Sequence, residues 1–183
     1  MNTRLTTLRV VVFVATAWWL AACNRPEPVV ISVSKDEIQQ RLAAKFPVER
    51  SKLMTDVVLS DPEAILVPGA DRAGLAVSVS VKPPLVGPFN GRLAATGKLD
   101  YRFEEKGFYL RDVTIDSLEI EGVDDGILAK IKGPVEAVAL GYLAEHPVYE
   151  LKDRNLKEIT AAFVLRSVTV EDGQLKATIA PPL

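Results

Sequence analysis

The chain has 183 residues, 48% of them hydrophobic and 25% charged, with a single cysteine and a formal net charge of −2. That length is enough for one domain that buries about two-thirds of its surface. The lack of a basic excess argues against nucleic acid as a partner and against a surface drawn to anionic headgroups by charge.

The first residues read as a targeting segment. Arg4 and Arg9 precede Val10 to Ala22, an uncharged apolar run shorter than the roughly 20 residues a spanning helix needs. It ends in Leu20-Ala21-Ala22-Cys23, which resembles the lipobox of bacterial lipoproteins. The small residues at 21 and 22 suit a narrow peptidase cleft, and the Cys23 thiol is the nucleophile that takes the lipid. The expectation is a signal peptide over 1–22 and a lipidated linker over 23–28. An ordinary secretory signal with a chance cysteine is the alternative. Acyl chains such as palmitate on Cys23 would hold the protein to a membrane, firmly once two or more are present. An acylated Cys23 cannot form a disulfide, so the domain must stand without bridges. Asn24, where Asp would favour the inner membrane, points to the periplasmic face of the outer membrane. The linker holds Pro26 and Pro28, and its five steps reach at most about 18 Å.

The remaining residues, 29–183, are expected to form a single domain. Val29 to Val33 is a β-branched strand, and Ser34-Lys35-Asp36-Glu37 has the spacing of a capping box. A helix follows with Ile38, Leu42 and Phe46 on one stripe, stopped by Pro47. Leu53, Thr55, Val57 and Leu59 share one strand face, and Asp61-Pro62 and Pro68-Gly69 are turn signals. Leu75, Val77, Val79 and Val81 alternate with smaller or polar residues, and a proline-rich loop runs to Pro88. Leu93, Ala95, Gly97, Leu99, Tyr101 and Phe103 form one face of a long strand that turns at Glu104 to Gly107. The return strand, Phe108 to Ile120, changes parity twice, after Leu110 and after Ile115, which suggests bulges. Asp124 or Asp125 caps a helix carrying Ile127, Ile131, Val135, Val138 and Tyr142. Pro134 either kinks it or opens a second helix. Leu156, Ile159 and Phe163 suggest a short helix, and a hairpin about Asp172-Gly173 closes the chain. This order gives an α+β fold with helices on one face of a bent antiparallel sheet.

Catalytic patterns are missing. His146, the only histidine, stands before Pro147 at a helix end, and no serine elbow, phosphate loop or paired Cys/His set occurs. The acids Asp112, Asp116, Glu119 and Glu121 fill the polar slots of an alternating strand, and Asp124-Asp125 starts a helix. No enzyme, metal or cofactor is therefore expected. The functional signal lies in the apolar sets, where the small residues Ala73, Ala95 and Gly97 either leave room for a ligand or admit a close neighbour.

The lipobox, Ser34-Lys35-Asp36-Glu37-Ile38 with Leu42 and Lys45, Tyr109-Leu110-Arg111-Asp112-Val113, Pro147-Val148-Tyr149-Glu150-Leu151 and the closing hairpin through Gly173 occur in the order seen in the YceB-like periplasmic lipoproteins (DUF1439). The chain resembles that family from about residue 29 to its end. The family is similar in fold to the tubular lipid-binding (TULIP) domains, in which a bent antiparallel sheet wraps a long helix around an apolar groove. The resemblance implies an apolar ligand such as a fatty acid or phospholipid and carries over no catalytic residue. The candidate lining is Ile38, Leu42 and Phe46, then Ile127, Ile131, Val138 and Tyr142, with Leu75, Val77, Val79, Leu93, Leu99 and Tyr101 from the sheet. The competing expectation is a closed core whose edges and loops, Lys82 to Pro88 among them, bind an envelope protein.

Overall fold

A computed structural model describes residues 27–151 and 164–181. The signal segment, Cys23 and the helix expected around Leu156, Ile159 and Phe163 lie outside the described residues. Within them the chain runs β1 (Val29–Ser34), α1 (Lys35–Ala43), β2 (Val48–Lys52), β3 (Thr55–Leu66), β4 (Arg72–Lys82), β5 (Phe89–Arg102), β6 (Gly107–Ile120), α2 (Asp125–Glu145), β7 (Tyr149–Glu150), β8 (Val164–Glu171) and β9 (Gln174–Ala180). The fold is α+β, but the strands form two antiparallel sheets rather than one. The larger has the order β2-β3-β4-β5-β6-β7, and the smaller is β1-β9-β8.

The capping-box spacing is realised at the N-cap: Ser34 Oγ accepts from the Glu37 N–H at 3.2 Å and starts α1. Ile38 and Leu42 turn inward, and the solvent-side face is polar. Gln39 does something the sequence pattern does not announce. Its side-chain NH₂ donates to the Pro62 carbonyl, and its Oε1 accepts from the Ala64 N–H at 2.8 Å. The reason is that Asp61-Pro62 is not a turn. Both residues lie inside β3, where the pairing with β4 skips from Ser60↔Ser78 to Glu63↔Ala76 and Asp61 adopts φ +48°. Strand β2 covers the outer edge of β3 only as far as Leu59, and Gln39 bonds backbone groups of the uncovered edge beside the bulge.

Leu53 also departs from its expected place. It does not share the buried face of Thr55, Val57 and Leu59 but occupies, with Met54, the two-residue turn between β2 and β3. Strand β2 has one buried position in five, so it carries no alternation and was not expected. The two parity changes in the return strand are real bulges. One leaves Asp116 unpaired between Ala94↔Ser117 and Ala95↔Ile115, and the other lies between Thr96↔Thr114 and Lys98↔Arg111, where Asp112 takes φ +51°. Asp116 is thus no ordinary polar slot: it accepts from the hydroxyls of Thr96 at 3.2 Å and Thr114 at 3.4 Å. Gly97 stands opposite the second bulge, and a Cβ there would lie 2.8 Å from the Arg111 carbonyl oxygen. Its smallness admits the neighbouring strand.

Helix α2 is capped by Asp124, whose carboxylate accepts from the Ile127 N–H at 2.9 Å. It runs unbroken through Pro134, so the one-helix alternative is the one realised. The Pro134 ring is buried, while Lys130, whose carbonyl loses the i→i−4 donor, is exposed. The apolar side of α2 lies against β2, β3, β4 and β6. The small sheet joins at the β3–β4 turn, where the Gly69 N–H donates to the Val170 carbonyl at 2.9 Å.

A polar clamp fastens α1 to β7. The Arg41 guanidinium sits 4.4 Å from the centroid of the Tyr149 ring, donates to the Glu150 carbonyl at 3.0 Å and pairs with Glu37 at 3.4 Å. Tyr149 donates to Glu37 at 3.2 Å, and Lys45 pairs with Glu150 at 2.8 Å. Arg41→Ala is expected to lower stability by about 1–2 kcal/mol, the sum of a cation–π contact, a hydrogen bond and a half-exposed ion pair. Urea unfolding measures it. The hydrogen bond from Lys45, then its charge, holds the Glu150 carboxyl below the usual range. That contribution is complete above the unfolded-state value and is lost as pH falls through the lower folded-state one, so the clamp loosens on the acid side.

Candidate functional site

The structure brings all thirteen candidate lining residues together. Ten of them, Ile38, Leu42, Leu75, Val77, Val79, Leu93, Leu99, Ile131, Val138 and Tyr142, are 8% exposed or less and belong to one apolar cluster. Phe46, Tyr101 and Ile127 are half-buried against it. The cluster also takes in Ile31, Val33, Val168, Leu175, Ala177 and Ile179 of the small sheet. Alternation in those strands was visible, but the side they join depends on pairings between distant parts of the chain. Val77 and Leu93 are 0% exposed, so neither borders a void that holds water.

The cluster meets solvent along one side of α2. An open groove of about 270 Å³ runs between Arg50, Ser51 and Lys52 of β2 and Ala137, Val138, Gly141, Tyr142, Glu145 and His146. Two of the expected lining residues, Val138 and Tyr142, therefore form its wall. The Tyr142 ring meets Phe46 edge-on at 5.2 Å and stacks on His146 at 4.3 Å between centroids. His146 ends the helix, its Nδ1 lying 3.0 Å from the Tyr142 carbonyl oxygen. A second open groove, of about 670 Å³, lies beyond β2 along Asp56 to Val58, Ser80, Lys82 and Pro88.

Among the described residues, two polar atoms in this apolar setting lack partners. The hydroxyls of Tyr142 and Tyr101 are buried, with no hydrogen bond among the described residues. Burial pushes both phenols above their ordinary pKa, with the Arg50 charge acting the other way on Tyr142. A buried donor without an acceptor destabilises by about 1–3 kcal/mol. Tyr142→Phe is therefore expected to leave stability unchanged or raise it by up to about 1 kcal/mol, contrary to most substitutions at a buried tyrosine. Thermal unfolding of both proteins checks this.

The acids do not assemble into a site. Asp112, Asp116, Glu119, Glu121, Asp124 and Asp125 are exposed, and among the described residues no three His, Cys, Asp or Glu side chains come close enough to hold a metal ion. No described helix is long and apolar enough to cross a membrane. No curated protein matches the sequence. A family model described as a protein of unknown function, DUF1439, matches residues 33–174, from within β1 to the start of β9, and the chain belongs to that family.

Proposed function

We propose that this is a non-enzymatic lipoprotein, held by lipid on Cys23 at the periplasmic face of the outer membrane, that shelters an apolar ligand such as a fatty acyl chain or phospholipid. In this reading the larger sheet wraps α2 as a tubular lipid-binding domain does. The observation that carries it is Tyr142. This side chain belongs to the apolar cluster, forms the wall of a groove open to solvent and holds a hydroxyl with no partner among the described residues. A ligand chain would enter by parting α2 from β2 along that groove, since the side chains behind are in contact. A polar group at its head would satisfy the Tyr142 hydroxyl.

Burying 14 methylenes contributes at most about 11 kcal/mol at roughly 0.8 each. Parting packed side chains, ordering the ligand and competition from the bilayer offset most of it. Modest affinity and weak selectivity for chain length are expected. The test is saturable uptake of a fatty acid and of a phospholipid by membrane-extracted, delipidated protein. Saturable uptake that weakens in Tyr142→Phe supports the proposal, and no uptake of either ligand removes it.

A second reading rests on the tight burial of ten of the thirteen lining residues. A core already filled leaves the surface to act, as an interaction module for an envelope protein. Native mass spectrometry separates the two. A lipid mass on the purified protein favours the carrier, and a bare mass with a captured protein favours the module.

A further inference from the structure

Among the described residues six large hydrophobic side chains are exposed, and four of them stand together at one end of the larger sheet. Leu53 and Met54 form the β2–β3 turn at 76% and 85% exposure, and Leu85 and Val86 crown the β4–β5 loop at 106% and 43%. The register sets these tips side by side: Lys52 pairs with Thr55, Asp56 with Lys82, and Val81 with Phe89.

Their backbone makes the exposure more pointed. Leu53, Met54 and Leu85 have φ of +51°, +60° and +63°. Asn and Gly ordinarily supply that left-handed conformation in tight turns. Three positions thus combine a strained backbone with an apolar side chain in water, and an Asn-Gly pair at 53–54 would relieve both. Pro83, Pro84 and Pro88 also leave their loop with three fewer N–H groups to strip of water. Lys52 and Lys82 stand exposed at the foot of the two tips, where a lysine stem can lie along apolar surface with its ammonium in a polar layer. Arg50 adds a third cation nearby. Glu49 and Asp56 offset part of this charge, and Asp56 accepts from the Ser51 hydroxyl at 2.6 Å.

We propose that this double tip inserts into the interfacial layer of a lipid bilayer, a protein–membrane contact separate from the N-terminal lipid. The occupant follows from shape and from the placement of charge. Two adjoining convex tips require a surface that deforms around them, and lysines at their bases suit a headgroup layer above hydrocarbon. The proposal rests on the anchored reading; because β1 lies in the small sheet, which joins the larger one at the β3–β4 turn, the domain lies along the bilayer for the tips at the other end to reach it. The proposal is indifferent to whether the core holds a ligand.

The test uses the lipidated protein extracted from membranes, from which Trp18 and Trp19 have left with the signal segment, so an introduced tryptophan is the only one. Leu85→Trp, and separately Glu104→Trp in the β5–β6 turn at the far end of the sheet, are mixed with phosphatidylethanolamine–phosphatidylglycerol vesicles whose acyl chains carry bromine. Emission from position 85 is expected to shift to the blue and be quenched, while position 104 is unaffected. Adding Leu53→Asn with Met54→Gly should weaken the quenching while raising the urea midpoint, so the loss is not one of folding. Flotation with the vesicles but equal emission at both positions overturns the tip and leaves the anchor standing. Failure to float overturns both. Position 85 shielded by a cross-linked envelope protein and not by lipid also overturns the proposal.

Discussion

Gln39→Leu is expected to lower the stability of the domain by about 2–4 kcal/mol, although the leucine is about as large and the position lies on a polar helix face. The Gln39 amide bonds both the Pro62 carbonyl and the Ala64 N–H, groups on the edge of β3 beyond Leu59, where its pairing with β2 ends. Ala64 is buried, so water does not replace the lost partner. Each orphaned group contributes about 1–3 kcal/mol of desolvation penalty. Gln39→Glu separates the two bonds. A carboxylate still accepts from Ala64 but presents only acceptors to Pro62. Its folded-state pKa should rise, so the variant is closest to wild type below the unfolded carboxyl value and falls further behind as pH climbs through the raised folded one. Urea midpoints of the three proteins at acid and neutral pH give the comparison. Equal stability of wild type and Gln39→Leu at neutral pH would show that this edge of β3 does not need the helix.

Gly74→Ala should be at least as severe, about 3 kcal/mol or more, for a single added methyl. A Cβ at Gly74 would lie 2.0 Å from the Ala95 carbonyl oxygen and 2.7 Å from the Thr96 Cα. Both are backbone atoms of the adjoining strand, so no side-chain rotation relieves the collision. Strands β4 and β5 occupy the middle of the larger sheet and carry six of the thirteen residues expected to line a ligand site, so the damage falls on the candidate site as well. Gly133→Ala is the control. An added Cβ meets nothing within 4 Å on that exposed turn of α2, and helix propensity predicts a gain of up to about 1 kcal/mol. Opposite shifts of the urea midpoint in the two variants are the expected outcome.

Both residues illustrate what could not be read along the chain. Nothing beside Gln39 in the sequence marks it, because its partners lie 23 and 25 residues away. Asp61-Pro62 reads as a turn because the chemistry that ends a strand also bulges one: a residue tolerant of positive φ beside one without an N–H. The bulges in β6 were legible for a different reason. Inward and outward positions alternate along a strand that buries one face, so an extra residue shows directly as a change of parity. Strand β2, with a single buried residue, had no face to reveal it.

The thirteen apolar residues were legible as a set, since period and hydrophobicity select the inward side of each element. Burial on one face is a local demand on composition, and the chain alone answers it for α1, α2, β4 and β5. Which faces meet is a matter of pairing between distant segments. Only the tertiary structure joins β1 to β9 in a sheet of their own, lays α2 across β2 to leave the groove at Tyr142, and sets Leu53 and Met54 beside Leu85. Such contacts depend on register and packing in three dimensions, and no window of sequence contains both partners.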